Sequence, residues 1–88
     1  MEYDPDKIDE ATLALLYLGM TRTPGGGRAW KGFDLPTLAR LHQKGWIAEP
    51  KIQDLSVTVT AAGVKKAAEL FRKHFQGAGN GGPNPAAP

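Results

Sequence analysis

A stretch of twelve residues, RTPGGGRAWKGF at positions 22 to 33, has the composition of a loop that could bind phosphate. Three consecutive glycines leave backbone amides free to approach an anion. The cations beside them are Arg22, Arg28 and Lys31. A nucleotide-binding P-loop needs Gly-Lys-Ser/Thr directly after its glycines, and a dinucleotide-binding loop needs a third glycine where Trp30 stands. Neither type of nucleotide site is therefore predicted.

Two interpretations of the glycine-rich stretch remain. In the first, residues 25 to 27 are a flexible connector between two helices, and Trp30 and Phe33 fold back onto the core. In the second, the stretch is a mobile basic finger whose cations contact phosphate groups. A glycine-rich loop that binds nucleotide phosphates usually joins a strand to a helix in a parallel β-α-β unit. No such unit is predicted around this stretch, which favours the first interpretation.

A second polar group lies on one face of a predicted helix that begins at Asp34. At 3.6 residues per turn, one side of that helix carries Thr37, Arg40, Gln43 and Lys44. From these positions and two loop cations we expect contacts with double-stranded DNA. The predicted nucleic-acid-binding residues are Arg28, Thr37, Arg40, Gln43, Lys44 and Lys51. A solvated helix face and a protein-binding face are the alternatives.

Catalytic and metal-binding chemistry finds little support in the residue types. The sequence has no cysteine, and its only histidines are His42 and His74. A structural zinc site normally needs four ligands, and no nucleophile stands near either histidine in the sequence. We expect His42 to be buried and hydrogen-bonded. The chain is predicted not to be an enzyme and to use no cofactor, no metal and no small-molecule substrate.

Composition divides the chain into a domain and a tail. Residues 77 to 88, GAGNGGPNPAAP, are uncharged and rich in Gly and Pro, which predicts a disordered tail after one domain at residues 1 to 76. The acidic N-terminus has no signal-peptide h-region, and the apolar run LALLYL is too short to cross a bilayer. We therefore expect a cytoplasmic protein that does not bind membranes.

Charge is unevenly distributed along the sequence. The formal net charge is +2, but residues 1 to 10 hold five acids against one base, whereas residues 11 to 88 hold ten bases against four acids. Such an imbalance is compatible with a polyanionic partner.

The first predicted helix begins at Asp4-Pro5 and is apolar nearly all round from Ala11 onward. One stripe contains Ile8, Ala11, Leu15 and Leu18; the other side contains Leu13, Leu16, Tyr17 and Met20. A core this small contributes only about 3–5 kcal/mol and has no disulfide to support it, so we expect a homodimer. The predicted dimer or partner interface consists of Leu13, Leu16, Tyr17, Met20 and Trp30. Complete enclosure of this helix within one chain is the alternative.

The remaining elements follow from capping residues and periodicity. Asp34 begins a second helix that Gly45 ends, and Thr60 begins a last helix at residues 61 to 75. Between them, residues 46 to 48 and the alternating LSVTVT at 55 to 60 predict a short β-hairpin with Leu55 pointing inward. The predicted fold class is α+β, with the order helix–loop–helix–β-hairpin–helix.

The run LARLHQKGWI, followed after a loop by SVTVTAAGVKKAAELF, resembles the second half of a winged helix-turn-helix domain. The resemblance covers residues 34 to 76 and implies a recognition helix, a β-wing and a closing helix. The helix that normally precedes the recognition helix is replaced by the glycine-rich stretch, so we expect contacts mainly with the DNA backbone. The whole chain also resembles a small family of uncharacterised bacterial proteins that share LALLYLG, RAWKG, LH-x-KGWI and ELF-x-x-HF.

Two functions follow from these patterns. The first is a small winged-helix-like DNA-binding protein, such as a transcriptional regulator. The alternative is a protein–protein interaction module on the same scaffold without nucleic-acid binding, anchored by Trp30, Phe33 and Trp46.

Overall fold

The computed structural model describes residues 2–76 and has an α+β fold, as the sequence predicts. Within these residues, three helices pack with a three-stranded antiparallel sheet. The elements are α1 (Pro5–Leu18), β1 (Thr21–Thr23), β2 (Gly26–Trp30), α2 (Leu35–Gln43), β3 (Ser56–Thr60) and α3 (Ala61–Phe75). The predicted tail at residues 77 to 88 lies outside the described residues.

The three predicted helix starts are confirmed by their capping hydrogen bonds. The carboxylate of Asp4 accepts from the amide of Asp6 at 3.0 Å, and that of Asp34 accepts from the amide of Thr37 at 3.2 Å. At the third start, the hydroxyl of Thr60 accepts a hydrogen bond from the amide of residue 63. Each bond satisfies an amide that has no partner inside its own helix.

The glycine-rich stretch is a β-hairpin, so the predicted flexible connector is wrong. Strands β1 and β2 pair from Thr21 opposite Arg28 to Thr23 opposite Gly26. A Cβ atom on Gly26 would lie 2.1 Å from the carbonyl oxygen of Val59. Close packing between strands, and not flexibility, therefore requires this glycine.

Strand β2 lies at the centre of the sheet, between β1 and β3. Strand β3 gains a further contact on its outer edge. Its residue Val59 is opposite Gly27 of β2 on one side and bridges to Ile47 on the other. Two further bonds extend that bridge, from the amide of Ala48 to the carbonyl of Thr58 and from the amide of Thr60 to the carbonyl of Trp46. The predicted hairpin thus reduces to a single bridge flanked by two hydrogen bonds. Leu55 precedes the strand and is exposed, so its predicted inward direction is wrong.

The core lies between the inner face of the sheet and helices α1 and α3. The sheet contributes Ala29, Val57 and Val59, and the largest wholly buried side chains from the helices are Leu13, Leu38 and Leu41. Helix α2 ends at Gln43 and is followed, after the cap residue Lys44, by Gly45. The φ of Gly45, +81°, is the left-handed conformation that glycine adopts after helix ends, as predicted. The arrangement is compatible with a winged helix in which a hairpin replaces one helix.

Candidate functional site

A buried carboxylate joins α1 to α2. Asp9 has no solvent exposure, and both of its carboxylate oxygens accept hydrogen bonds from Nε of Arg40, at 2.8 and 2.9 Å. Nζ of Lys44 donates to Asp9 at 2.8 Å and to the exposed carboxylate of Asp6 at 3.0 Å. Because Arg40 and Lys44 are four residues apart on α2, they lie on the same side of that helix and reach the same acid.

This ionic cluster changes the role of two predicted DNA-binding residues. Burial lowers the pKa of Lys44, but its hydrogen bonds to Asp9 and Asp6 and the charges of those acids outweigh burial and raise the pKa above its usual value. Lys44 also lies over the ring of Trp46, with Nζ 5.3 Å from the ring centroid. Arg40 and Lys44 are neutralised within the chain, so the prediction that they present free cations to solvent is wrong.

Thr37 is also unavailable to a ligand. Its side chain is buried, and its hydroxyl donates to the carboxylate of Asp34 and accepts from Nη2 of Arg40 at 3.2 Å. The hydrogen bond from the Thr37 side chain holds the pKa of Asp34 below its usual value. Thr37 therefore stabilises the start of α2, and its predicted contact with nucleic acid is wrong.

The other predicted DNA-binding residues are exposed but do not form one surface. Arg28 lies on the outer face of the sheet, where its guanidinium donates to the hydroxyls of Ser56 and Thr58. Gln43 and Lys51 line a different cleft, between α2 and the loop that follows it. No carboxylate among residues 2–76 forms an ion pair with Arg28 or Lys51.

The predicted interface residues divide into three groups by their exposure. Leu13 and Leu16 are core residues, so their assignment to an interface is wrong. Tyr17 and Met20 are partly buried against the same core, and the ring of Tyr17 packs on Phe71. Trp30 is 69% exposed, which overturns its predicted role as a core residue and leaves it available to a partner.

The opposite side of α1 faces solvent. Its residues Ala11, Leu15 and Leu18 are exposed and Ile8 is half-buried; we name these four the α1 stripe. The sequence shows this stripe, but its apolar character is typical of a core face. The signal that identifies the true inward face is Asp9, because α2 offers two cations that pair with it.

Two clefts extend the α1 stripe into a wider apolar surface. One cleft, between α1 and α3, is lined by Leu15, Leu18, Phe71 and Phe75. The other is bordered by Leu15 and Trp30. Trp30 also lines a neighbouring depression together with Leu55. We name the α1 stripe together with Trp30, Leu55 and Phe75 the apolar surface.

The ring of Trp30 is positioned by the backbone of its own strand end. A Cβ atom on Gly32 would overlap this ring, so the glycine allows the indole to lie directly over the chain. One side of the indole thus lies against the backbone of Gly32, while most of the side chain stays exposed.

Across residues 2–76, no three histidine or carboxylate side chains are grouped as metal ligands. The helices of this region are also too short or too polar to cross a bilayer.

Sequence comparison gives the family. The model for a domain of unknown function, DUF6429, matches residues 4–77. The chain belongs to the DUF6429 family. It is 45% identical over 75 residues to the "Uncharacterized protein y4hR" of Sinorhizobium fredii (strain NBRC 101917 / NGR234), covering 85% of this chain and 97% of that protein. No solved structure matches. The DUF6429 match extends from the cap of α1 to the end of α3, which confirms the resemblance to a small uncharacterised family.

Proposed function

We propose that the protein is a protein–protein interaction module on a winged-helix-like scaffold and that its binding site is the apolar surface. The observation that carries this proposal is the exposure of Leu18 and Trp30, each 69%, beside clefts that continue the same apolar lining. Soluble monomers rarely expose contiguous apolar patches of more than a few hundred Å² unless the patch binds something. As expected from the sequence, we place this interaction in the cytoplasm.

Energetic considerations also support a protein partner. Complete burial of a large apolar side chain is worth about 1.5–3 kcal/mol, so covering Leu18 and Trp30 would recover a substantial part of that energy at each position. Aromatic side chains are common anchors of protein interfaces, and Trp30 is an exposed one beside an apolar cleft.

Binding to double-stranded DNA is the second candidate function. The observation in its favour is that Arg28 and Lys51 are exposed and pair with no carboxylate within residues 2–76. Because Arg40 and Lys44 pair with Asp9, only two of the four cations predicted to contact DNA, Arg28 and Lys51, remain for phosphate contacts. Counterion release from so few contacts gives weak, strongly salt-dependent binding.

Site-specific photo-crosslinking distinguishes the two functions. A benzophenone amino acid is placed at position 18 or 30 of the full chain in cells, and at the exposed position 65 of α3 as a control. We expect covalent adducts with protein from positions 18 and 30 and none from position 65. Trp30→Ala should reduce the adduct at position 18 by at least about tenfold while changing the free energy of unfolding by less than about 0.5 kcal/mol.

A mobility-shift titration on random duplex at low salt completes the experiment. The interaction module predicts no shift of the duplex. A shift that Arg28→Ala plus Lys51→Ala abolishes, together with no adduct from positions 18 and 30, would establish DNA binding in its place.

A further inference from the structure

We propose that a second copy of this chain covers the apolar surface, with the two α1 helices packed antiparallel. The inference rests on the proposed function, because it names the occupant of the same surface. Its three supports are the shape of the α1 stripe, the distribution of charge along α1 and the unpaired state of Arg22.

The α1 stripe is complementary to itself when one copy is reversed. Its four residues lie between positions 8 and 18, a rise of about 15 Å along the helix. Antiparallel pairing about the midpoint places Ala11 opposite Leu15 of the second copy and Ile8 opposite Leu18 of the second copy. At the two inner positions the small Ala11 of one copy then faces the larger Leu15 of the other. The two-fold axis of the dimer repeats every contact.

Charge distinguishes the antiparallel from the parallel arrangement. The start of α1 exposes the acids Glu2, Asp4 and Asp6, whereas Arg22 follows the end of the helix by four residues. A parallel pair would bring the acidic starts of both copies together. An antiparallel pair brings the acidic start of one copy to the basic end of the other and also opposes the two helix dipoles favourably.

Arg22 is available for this contact. It is exposed on β1, and no carboxylate among residues 2–76 forms an ion pair with it. The acids at the start of α1 are only partly used within the chain, since the carboxylate of Asp6 bonds to Lys44 but remains 80% exposed. Arg22 and the acids at the start of α1 are therefore both exposed to solvent in the monomer.

The first measurement is the mass of the full chain by light scattering across a concentration series. We expect a dimer at micromolar concentration and its dissociation on dilution. Leu18→Lys should raise the dimer dissociation constant by at least about tenfold, because it places a charge on the surface that becomes buried. Leu35→Lys is the matched control, since Leu35 is 70% exposed on α2, outside the apolar surface. Circular dichroism verifies that both variants fold.

Engineered thiols test the direction of the helices. The natural sequence has no cysteine, so Ala11→Cys and Leu15→Cys introduce the only thiols. A disulfide needs Cα atoms within about 7 Å. The antiparallel dimer predicts that a mixture of the two variants forms the 11–15 disulfide faster than either variant forms a disulfide with itself. Preferential 11–11 and 15–15 disulfides would overturn the arrangement.

The outcomes separate this inference from the proposed function. A chain that stays monomeric at high concentration, yet forms photo-adducts with a different protein from positions 18 and 30, overturns the second copy and leaves the interaction module intact. Loss of the dimer in Leu35→Lys as well as in Leu18→Lys would place the dimer interface elsewhere. A monomer without any adduct overturns both.

Discussion

At the residue scale, the carboxylate of Asp9 holds α1 and α2 together. Burial of an isolated charge is costly, but Asp9 is hydrogen-bonded by both Arg40 and Lys44. The side chains of these cations keep 30% and 29% exposure, so they remain partly solvated while they compensate the acid. The cluster stabilises the contact between the two helices and leaves neither cation free for a ligand.

Asp9→Ala is expected to destabilise the fold by about 3 kcal/mol, because it leaves two largely buried cations without their common partner. Asp6→Ala is the matched control and should cost less than about 1 kcal/mol, since the Asp6 carboxylate is 80% exposed. Urea unfolding followed by circular dichroism measures both. Equal losses in the two variants would contradict a stabilising role of the buried acid.

Asp34 gives a pH dependence of known sign. The hydrogen bond from Thr37 lowers the pKa of Asp34 in the folded state. A lowered pKa means that its contribution to stability is complete above the unfolded-state pKa of about 3.9 and is lost as the pH falls through the folded-state value. Asp34→Asn should therefore flatten the decline of the unfolding free energy below about pH 4. An unchanged slope would show that the cap does not depend on the charge.

At the element scale, α3 follows β3 without an intervening residue and packs its first turn against the chain at Trp46. A Cβ atom on Gly63 would lie 1.9 Å from the carbonyl oxygen of Trp46. The same carbonyl accepts hydrogen bonds from the amide and the hydroxyl of Thr60. The glycine therefore permits the close approach that joins the last helix to the bridge at Ile47.

Gly63→Ala tests this contact. Alanine usually stabilises a helix by about 1 kcal/mol relative to glycine, but here we expect a loss of about 1–3 kcal/mol because backbone must move. Gly19→Ala is the control, since a Cβ atom there meets nothing within 4 Å. Thermal unfolding of the two variants gives the comparison. A stabilised Gly63→Ala protein would show that the first turn of α3 adjusts without strain.

At the scale of the whole molecule, local chemistry predicts where elements begin and end, whereas the pairing of distant residues decides the rest. The caps at Asp4, Asp34 and Thr60 depend on residues two or three positions away, so the sequence alone predicts them. The hairpin in the glycine-rich stretch depends on the distant Val59, and the sequence predicts a connector there instead. Glycines packed against a distant strand have the same local sequence as glycines in a flexible loop.

In the candidate site, too, the features that local sequence does not predict depend on contacts between distant residues. Arg40 and Lys44 look alike in sequence whether they face solvent or pair with an acid more than 30 positions away. Both sides of α1 are apolar, so periodicity alone cannot decide which one is enclosed. The exposed ring of Trp30 lies over Gly32, a placement that no local pattern predicts.

The packing of α1 against α3 has a consequence for biosynthesis. Helix α1 is translated before α3, its principal neighbour in the described fold, so the core closes only after residues 61 to 75 have been translated. Until then, both apolar sides of α1 remain uncovered in the nascent chain. During this interval the exposed α1 offers a chaperone its largest apolar binding surface. Two chains translated from the same messenger RNA are then also most prone to associate prematurely.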